Sequence, residues 1–198
     1  HPHAGGQGRI AVIHNGIIEN YEALRELLTH RGHNLVSETD TEVLAHFIEE
    51  VQLSTGLDLP DAVRTALKEV VGAYALVVID QSHPYRLIAA RKSSPLVIGV
   101  GKDNEFFVGS DATPIVAHTK NVIYLEDEEV ATMHRSGELT IRTIGDTVVT
   151  PEIHAIELEM ASLEKAGYDH FMLKEIFEQP KSIRDSIRGR IRLQAGES

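Results

Sequence analysis

The chain has 198 residues, enough for one full-sized domain with a substantial buried core. Nineteen Lys and Arg stand against 30 Asp and Glu, and the net charge of −11 argues against nucleic acid and anionic membrane surfaces as partners. Hydrophobic residues make up 42% and cysteine is absent, which excludes a disordered chain, a disulfide framework, a thiolate zinc site and a cysteine nucleophile among these residues.

The apolar, β-branched stretch from Arg9 to His14 reads as a strand. Asn15-Gly16 follows. A helix is expected from Tyr21 to His30, with Asn20 as N-cap and Gly32 as its stop. Leu35-Val36 suggests a short strand. A second helix is expected from Asp40 to Val51, where Thr39-Asp40-Thr41-Glu42 has the form of a capping box and Val43, Leu44, Phe47, Ile48 and Val51 form the buried stripe. A third helix is expected to begin near Pro60 and to end at Gly72.

Strands then dominate. Ala73 to Ile79 is continuously apolar, as in a strand buried on both faces, and far too short to span a bilayer. Arg86 to Ala90, Leu96 to Val100, Glu105 to Gly109, Val122 to Leu125, Glu129 to Met133 and Glu138 to Ile141 are expected strands. Ser110 is the expected cap of a short helix over Ala112 to Ala117, and Arg135-Ser136-Gly137 the expected hairpin turn. Tyr168 to Glu178 has helical spacing, Pro180 is expected to interrupt it, and a basic stretch runs from Lys181 to Leu193. Segregated helices and strands argue for an α+β fold with helices covering a largely antiparallel sheet.

Three features could carry chemistry. Asn15-Gly16 between apolar runs is a strong signal for a two-residue hairpin turn; the same pair could supply a side-chain amide and a backbone N–H to an oxyanion hole. Asp40 could serve the helix end or, with Thr39 and Glu42 supplying the cap, bind a cation such as a substrate ammonium. The 11 histidines, among them His14, His30, His33 and His46, show no zinc spacing, so no metal is expected. Ser93-Ser94 and Ser110 lack a nucleophile elbow, and no phosphate-binding loop is present.

The run His14-Asn15-Gly16-Ile17-Ile18-Glu19-Asn20-Tyr21 resembles a block of the class II glutamine amidotransferases, and Ser37-Glu38-Thr39-Asp40-Thr41-Glu42-Val43 is similar to a second block of that family. Two more blocks, Ala90-Arg91-Lys92-Ser93-Ser94-Pro95-Leu96-Val97-Ile98-Gly99 and His170-Phe171-Met172-Leu173-Lys174-Glu175-Ile176-Phe177-Glu178-Gln179-Pro180, resemble the members that feed ammonia to a sugar-isomerase domain acting on fructose 6-phosphate. The second of these argues against a member feeding a phosphoribosyl acceptor.

The resemblance implies a four-layer α/β/β/α sandwich of the N-terminal-nucleophile hydrolase type, incomplete at its N-terminus. It implies hydrolysis of glutamine through a cysteine thioester, with Asn15 and Gly16 as the oxyanion-hole pair and Asp40 holding the glutamine α-ammonium. His1 and His3 match a His-Pro-His segment near the family's glutamine pocket. The family's nucleophile and its carboxylate-binding arginine would lie upstream of His1. The chain is therefore expected to be a piece of a longer enzyme, inactive alone, with a glutaminase domain over 1–167 and a linker over 168–198. The implied partners are glutamine, the missing N-terminal segment and a C-terminal isomerase domain, in a cytoplasmic homo-oligomer with no cofactor. The other class left open is a non-catalytic glutamine-binding or docking module of the same descent.

Overall fold

The computed structural model describes residues 1–156, 168 and 170–187. The chain divides into two compact units, His1–Ile156 and Glu157–Ser198. In chain order the first unit contains β1 (His3–Ala4), β2 (Ile10–Ile18), α1 (Tyr21–His30), α2 (Asp40–Thr55), α3 (Leu59–Leu67), β3 (Gly72–Asp80), β4 (Arg86–Lys92), β5 (Val97–Val100) and β6 (Phe106–Gly109). It continues with α4 (Thr113–Val116), β7 (Asn121–Tyr124), β8 (Glu129–His134), β9 (Leu139–Thr143), β10 (Val148–Val149) and β11 (His154–Ala155).

Two sheets stack between helical layers. One has seven strands in the order β1-β2-β3-β4-β8-β9-β10, the other four in the order β11-β7-β5-β6. Every strand pair within them is antiparallel. The period-2 alternation of strands sorts side chains onto two faces. Tyr74, Leu76 and Val78 of β3 join Leu28, Val43, Leu44, Ile48 and Val63 of the three long helices in one core. Ala75 and Val77 of the same strand join Ile98, Ile123, Ala131 and Met133 in a second core between the sheets. Val97, Ile115 and Val122 close a third beneath α4. The layers are therefore α/β/β/α, as the family resemblance implies.

Local chemistry accounts for the element ends. Thr39 caps α2 by accepting from the Glu42 N–H at 3.3 Å, and Gly56 ends that helix at φ +69°. Asp58 caps α3 by accepting from the Leu59 N–H at 2.9 Å, and it also receives the Arg86 guanidinium, which ties α3 to the start of β4.

Several expectations are corrected. Asn15-Gly16 is no turn: β2 runs through it to Ile18, because Asn15 to Ile18 pair with Gly72 to Ala75 of β3. Asn20 does not cap α1 with its side chain; it donates to the Glu69 carbonyl at 2.8 Å and accepts from the Val71 N–H at 2.9 Å, stitching α1 to the approach of β3. Leu35-Val36 forms no strand, and α3 stops at Leu67. Ser110 is not the α4 cap; the Thr113 N–H donates to Asp111 at 2.6 Å instead. The β1, β10 and β11 pairings carry no signal of their own in the sequence.

In the second unit, α5 (Phe171–Ile187) runs through Pro180, which sequence reading treats as a break. A proline inside a helix removes one hydrogen bond of the ladder, and here the helix continues on both sides of it. The Tyr168 and Phe177 rings stack at 5.5 Å. Residues 157–167 and the rest of the basic stretch, 188–193, lie outside the described residues.

Leu44 and Leu53 lie on the same helix, but Leu44 is fully buried and Leu53 is 46% exposed. Leu44→Ala should lower the unfolding free energy by about 2–5 kcal/mol and Leu53→Ala by less than about 0.5 kcal/mol, as read by urea denaturation.

Candidate functional site

The candidate residues gather at the Ile18 end of β2 and the first turn of α2. The β2–β3 ladder fixes which way each group points. Arg9 accepts from the Gln81 N–H and Glu19 donates to the Val71 carbonyl, so these odd-numbered residues bond toward β3. Ile10 instead accepts from the Gly5 N–H, and the Ile18 N–H donates to Asp40 Oδ2 at 3.0 Å, so the even-numbered residues bond outward. In that continuous register the Gly16 N–H belongs to the same outward edge as the Ile18 N–H.

Gly16 has φ +134°, and a Cβ there would come within 2.1 Å of the Ala73 carbonyl oxygen. Gly72 is its counterpart on β3, with φ +122° and a Cβ position 2.2 Å from the Ile17 carbonyl oxygen. The two strands approach so closely here that glycine is required on each.

Side chains of β2 alternate between two environments. Ile13 and Asn15 face a cleft of about 230 Å³ that is also bounded by His1, Ala75, Val77 and the Val108–Ser110 end of β6. The Asn15 amide is exposed and makes no hydrogen bond among the described residues. His14 points the other way, toward α2. It is 5% exposed, and its Nδ1 lies 3.1 Å from Thr41 Oγ1 and 3.9 Å from Asp40 Oδ1. Burial pulls its pKa below the ordinary value, against the Asp40 charge and the Ala73 carbonyl, which favour the proton.

Asp40 opens α2 with its side chain 23% exposed. Its Oδ1 is 3.4 Å from the Thr41 hydroxyl. The expected capping box is only half formed. Thr39 takes the Glu42 N–H, but the Glu42 carboxylate turns away to accept from the Val36 N–H at 2.9 Å and from the Ser37 N–H and hydroxyl at 2.7 Å. Asp40 is thus spared from capping, and the preceding loop is clamped by Glu42. Burial pushes the Glu42 carboxyl up, yet these hydrogen bonds and the His46 charge outweigh it and hold the pKa below its ordinary 4.5.

The histidines do not converge. His33 Nδ1 meets His46 Nδ1 at 3.0 Å and His33 Nε2 meets Glu50 at 3.0 Å, behind α2. His1 and His3 contact each other edge to face at 5.7 Å. No group of three or more His, Asp or Glu placed to hold a metal ion is found among the described residues. Of the third sequence block, Arg91 donates to the Leu125 carbonyl at 2.7 Å and to Asp127 at 2.8 Å, while the Ser93 N–H donates to Asp127 at 2.9 Å; its polar groups brace the end of β4. The contact of His14 with Thr41, 27 residues away, is the part of the site that sequence reading misses.

The family model described as a glutamine amidotransferase domain matches residues 2–117. The chain is 53% identical over 195 residues to glutamine–fructose-6-phosphate aminotransferase [isomerizing] of Bacteroides thetaiotaomicron, covering 98% of this chain and 32% of that protein. It is 47% identical over 197 residues to the protein of the same name from Chlorobaculum tepidum, covering 99% of this chain and 32% of that one. The chain thus spans about a third of the length of the curated relatives it matches. Among solved structures, glutamine phosphoribosylpyrophosphate amidotransferase from B. subtilis, complexed with ADP and GMP, superposes with a TM-score of 0.59 at 26% identity, over 70% of this chain and 30% of that one. A structure described as the allosteric regulatory enzyme of purine biosynthesis gives a TM-score of 0.57 at 28% identity, over 68% of this chain and 28% of that one.

Because the folded pKa of Glu42 lies below its unfolded value, its contribution to stability is present above about pH 4.5 and is lost as pH falls through the folded value. Glu42→Gln should therefore be less stable than the parent at neutral pH, and the gap should shrink as pH falls below about 4.5, as read by denaturant midpoints across a pH series.

Proposed function

The chain belongs to the glutamine amidotransferase domain family, and we propose that it forms the ammonia-producing part of a glutamine–fructose-6-phosphate aminotransferase. In this reading glutamine lies at the open edge of β2, with its reacting amide toward Asn15 and Gly16. When a thiolate attacks the amide carbon, the carbonyl oxygen becomes negative. The Asn15 side-chain amide and the Gly16 N–H stabilise that charge by donating hydrogen bonds. The Asp40 carboxylate holds the substrate α-ammonium. Ammonia leaves, and water releases glutamate from the thioester.

The sequence contains no cysteine, so the attacking thiolate comes from outside these 198 residues. The same holds for the acceptor site that would convert fructose 6-phosphate to glucosamine 6-phosphate. We assign residues 1–167 to the glutaminase domain and 168–198 to a connection toward the isomerase domain. In the assembled enzyme, a cytoplasmic homo-oligomer, no cofactor is needed for the glutaminase step. Among the described residues no helix is long and apolar enough to cross a membrane.

The observation that carries the reading is the arrangement around Ile18. Its N–H fixes the Asp40 carboxylate at 3.0 Å against the same strand edge that presents Gly16, and an unpaired amide stands at Asn15. An anion-stabilising pair and a cation-binding carboxylate beside one strand suit a substrate with an amide at one end and an ammonium at the other.

In the full enzyme carrying this segment, Asn15→Ala should lower kcat for glutamine hydrolysis by about 10²–10³-fold. Asp40→Asn should act mainly on KM, raising it about tenfold or more. Full activity in both variants would overturn the assignment. Stoichiometric glutamine binding without hydrolysis in the full protein would instead support a glutamine-binding module.

A further inference from the structure

We propose that a second cleft, at the other end of β5 from the candidate site, binds a small ligand through a phosphate group, free or esterified. This does not rest on the reading of Asn15, Gly16 and Asp40 given above.

The cleft has a volume of about 250 Å³ and lies between the end of β5, the residues after α4 and the start of β7. Lys102, His118, Lys120 and Asn121 line it, and among the described residues no carboxylate does. That is unusual in a chain of net charge −11. Elsewhere the cations meet acids: Arg31 faces Glu50, Arg86 faces Asp58, Arg91 faces Asp127 and Lys92 faces Glu128. Neither Lys102 nor Lys120 forms an ion pair among the described residues, although Asp103 and Glu105 stand in the same turn as Lys102. Two ammonium groups around one hollow repel each other, and an anion between them turns that repulsion into attraction.

Fixed backbone, rather than the lysine stems, shapes the hollow. The Thr119 hydroxyl donates to the Val100 carbonyl at 2.6 Å and accepts from the Asn121 N–H at 3.1 Å, which pins residues 118–121 on the end of β5. The Ile156 N–H donates to the Lys120 carbonyl at 2.8 Å and holds the same turn from its other side. The His118 ring stacks on Phe107 with 4.7 Å between centroids and 11° between planes, which fixes the ring plane. A Cβ on Gly99 would lie 2.4 Å from Ile115 Cγ2 and 2.9 Å from Thr119 Cγ2, so glycine there lets α4 and the turn close onto β5.

Charge and size select the ligand. A phosphate monoester carries nearly two negative charges at neutral pH and three strong acceptor oxygens. Two lysines match that charge with three N–H donors each, and the Asn121 amide adds two more. The volume is below the range of about 300–1,000 Å³ for drug-sized ligands, which limits the occupant to an ion or a small metabolite. The cleft is also separate from the candidate site. β5 pairs with β6 from Val97 opposite Gly109 to Val100 opposite Phe106. Leu96, Gly109 and Ser110 border the first cleft, and Val100 to Lys102 border the second. At about 3.4 Å per residue the two ends of that hairpin are roughly 10 Å apart.

The test reads each lysine in the full protein carrying this segment. Lysines are acetylated with acetic anhydride, with and without inorganic phosphate or glycerol 3-phosphate, and the sites are quantified by mass spectrometry. With ligand at about four times its Kd, acetylation of Lys102 and Lys120 should slow about fivefold, as mass action requires. The exposed Lys68 should keep its rate. A phosphate bound in another domain does not register in this readout. In calorimetric titrations, Lys102→Gln and Lys120→Gln should each weaken binding about three- to fivefold and the double variant about tenfold or more, with Lys68→Gln unchanged.

Equal affinity for the two probes would assign the site to the phosphate group alone, and tighter binding of glycerol 3-phosphate would assign it to an ester. Unprotected Lys102 and Lys120 overturn the proposal whether or not the variants fold. So does equal protection of Lys68, which would mean a diffuse field rather than a site.

Discussion

The molecule depends on the pairing of β2 with β3. Their register runs without interruption from Ile10 opposite Asp80 to Ile18 opposite Gly72. A strand with one face under helices and the other toward a second sheet cannot slip by one residue without exchanging every side chain between the two environments. For β3 such a slip would move Tyr74, Leu76 and Val78 out of the helix-side core and bring Ala75 and Val77 into it, leaving bulk where there is none to spare. The glycine pair adds a second lock. Gly16 and Gly72 let the two backbones approach where any Cβ would meet a carbonyl oxygen, so the register is fixed at the end where the candidate site lies.

The arrangement of that site follows from the pairing. Alternation sends Ile13 and Asn15 to the cleft and His14 to α2, while outward-bonding backbone at Ile18 meets Asp40. The first turn of α2 completes the geometry because its capping duties are divided. Thr39 takes the Glu42 N–H, and Glu42 takes the loop donors at Val36 and Ser37. Asp40 needs to do neither. A negative group in the first turn is also favoured by the helix dipole, so the position suits a carboxylate for reasons independent of any ligand.

How much of this was legible in the sequence depended on the range of the signal. Helices α1 and α2 were readable because 3.6-residue spacing and helix-end residues are local; α1 spans Tyr21–His30 and α2 begins at Asp40, as their patterns indicate. The continuous apolar run of β3 was readable for the same reason. Asn15-Gly16 misleads because its local preference for a tight turn is real, and nine residue pairs with β3 override it. Two-residue strands such as β1 and β11 have no period to detect; only their partners Ala11-Val12 and Asn121-Val122 define them. The family blocks pointed to Asn15, Gly16 and Asp40 as a set, but they did not disclose His14 with Thr41. Neither residue type is diagnostic alone, and their meeting is a product of the packing of α2 on β2.

The open and closed sides of β2 also constrain how a reaction could be assembled there. The helix face is filled: His14 is against Thr41, and Val12 and Ile18 are in the core beneath the helices. A nucleophile cannot approach from that side. The cleft face carries Asn15 and the exposed Ile13, with His1 and the end of β6 at its margin. In the proposed reading the thiolate must therefore enter from the cleft, and the acid that orients glutamine must reach the same strand edge from the helix layer. Catalysis would then be divided across the sheet, with uncharged donors on the strand and the charged contact on α2. Such a division keeps Asp40 away from the developing oxyanion, where a second negative charge would oppose the stabilisation that Asn15 and Gly16 supply.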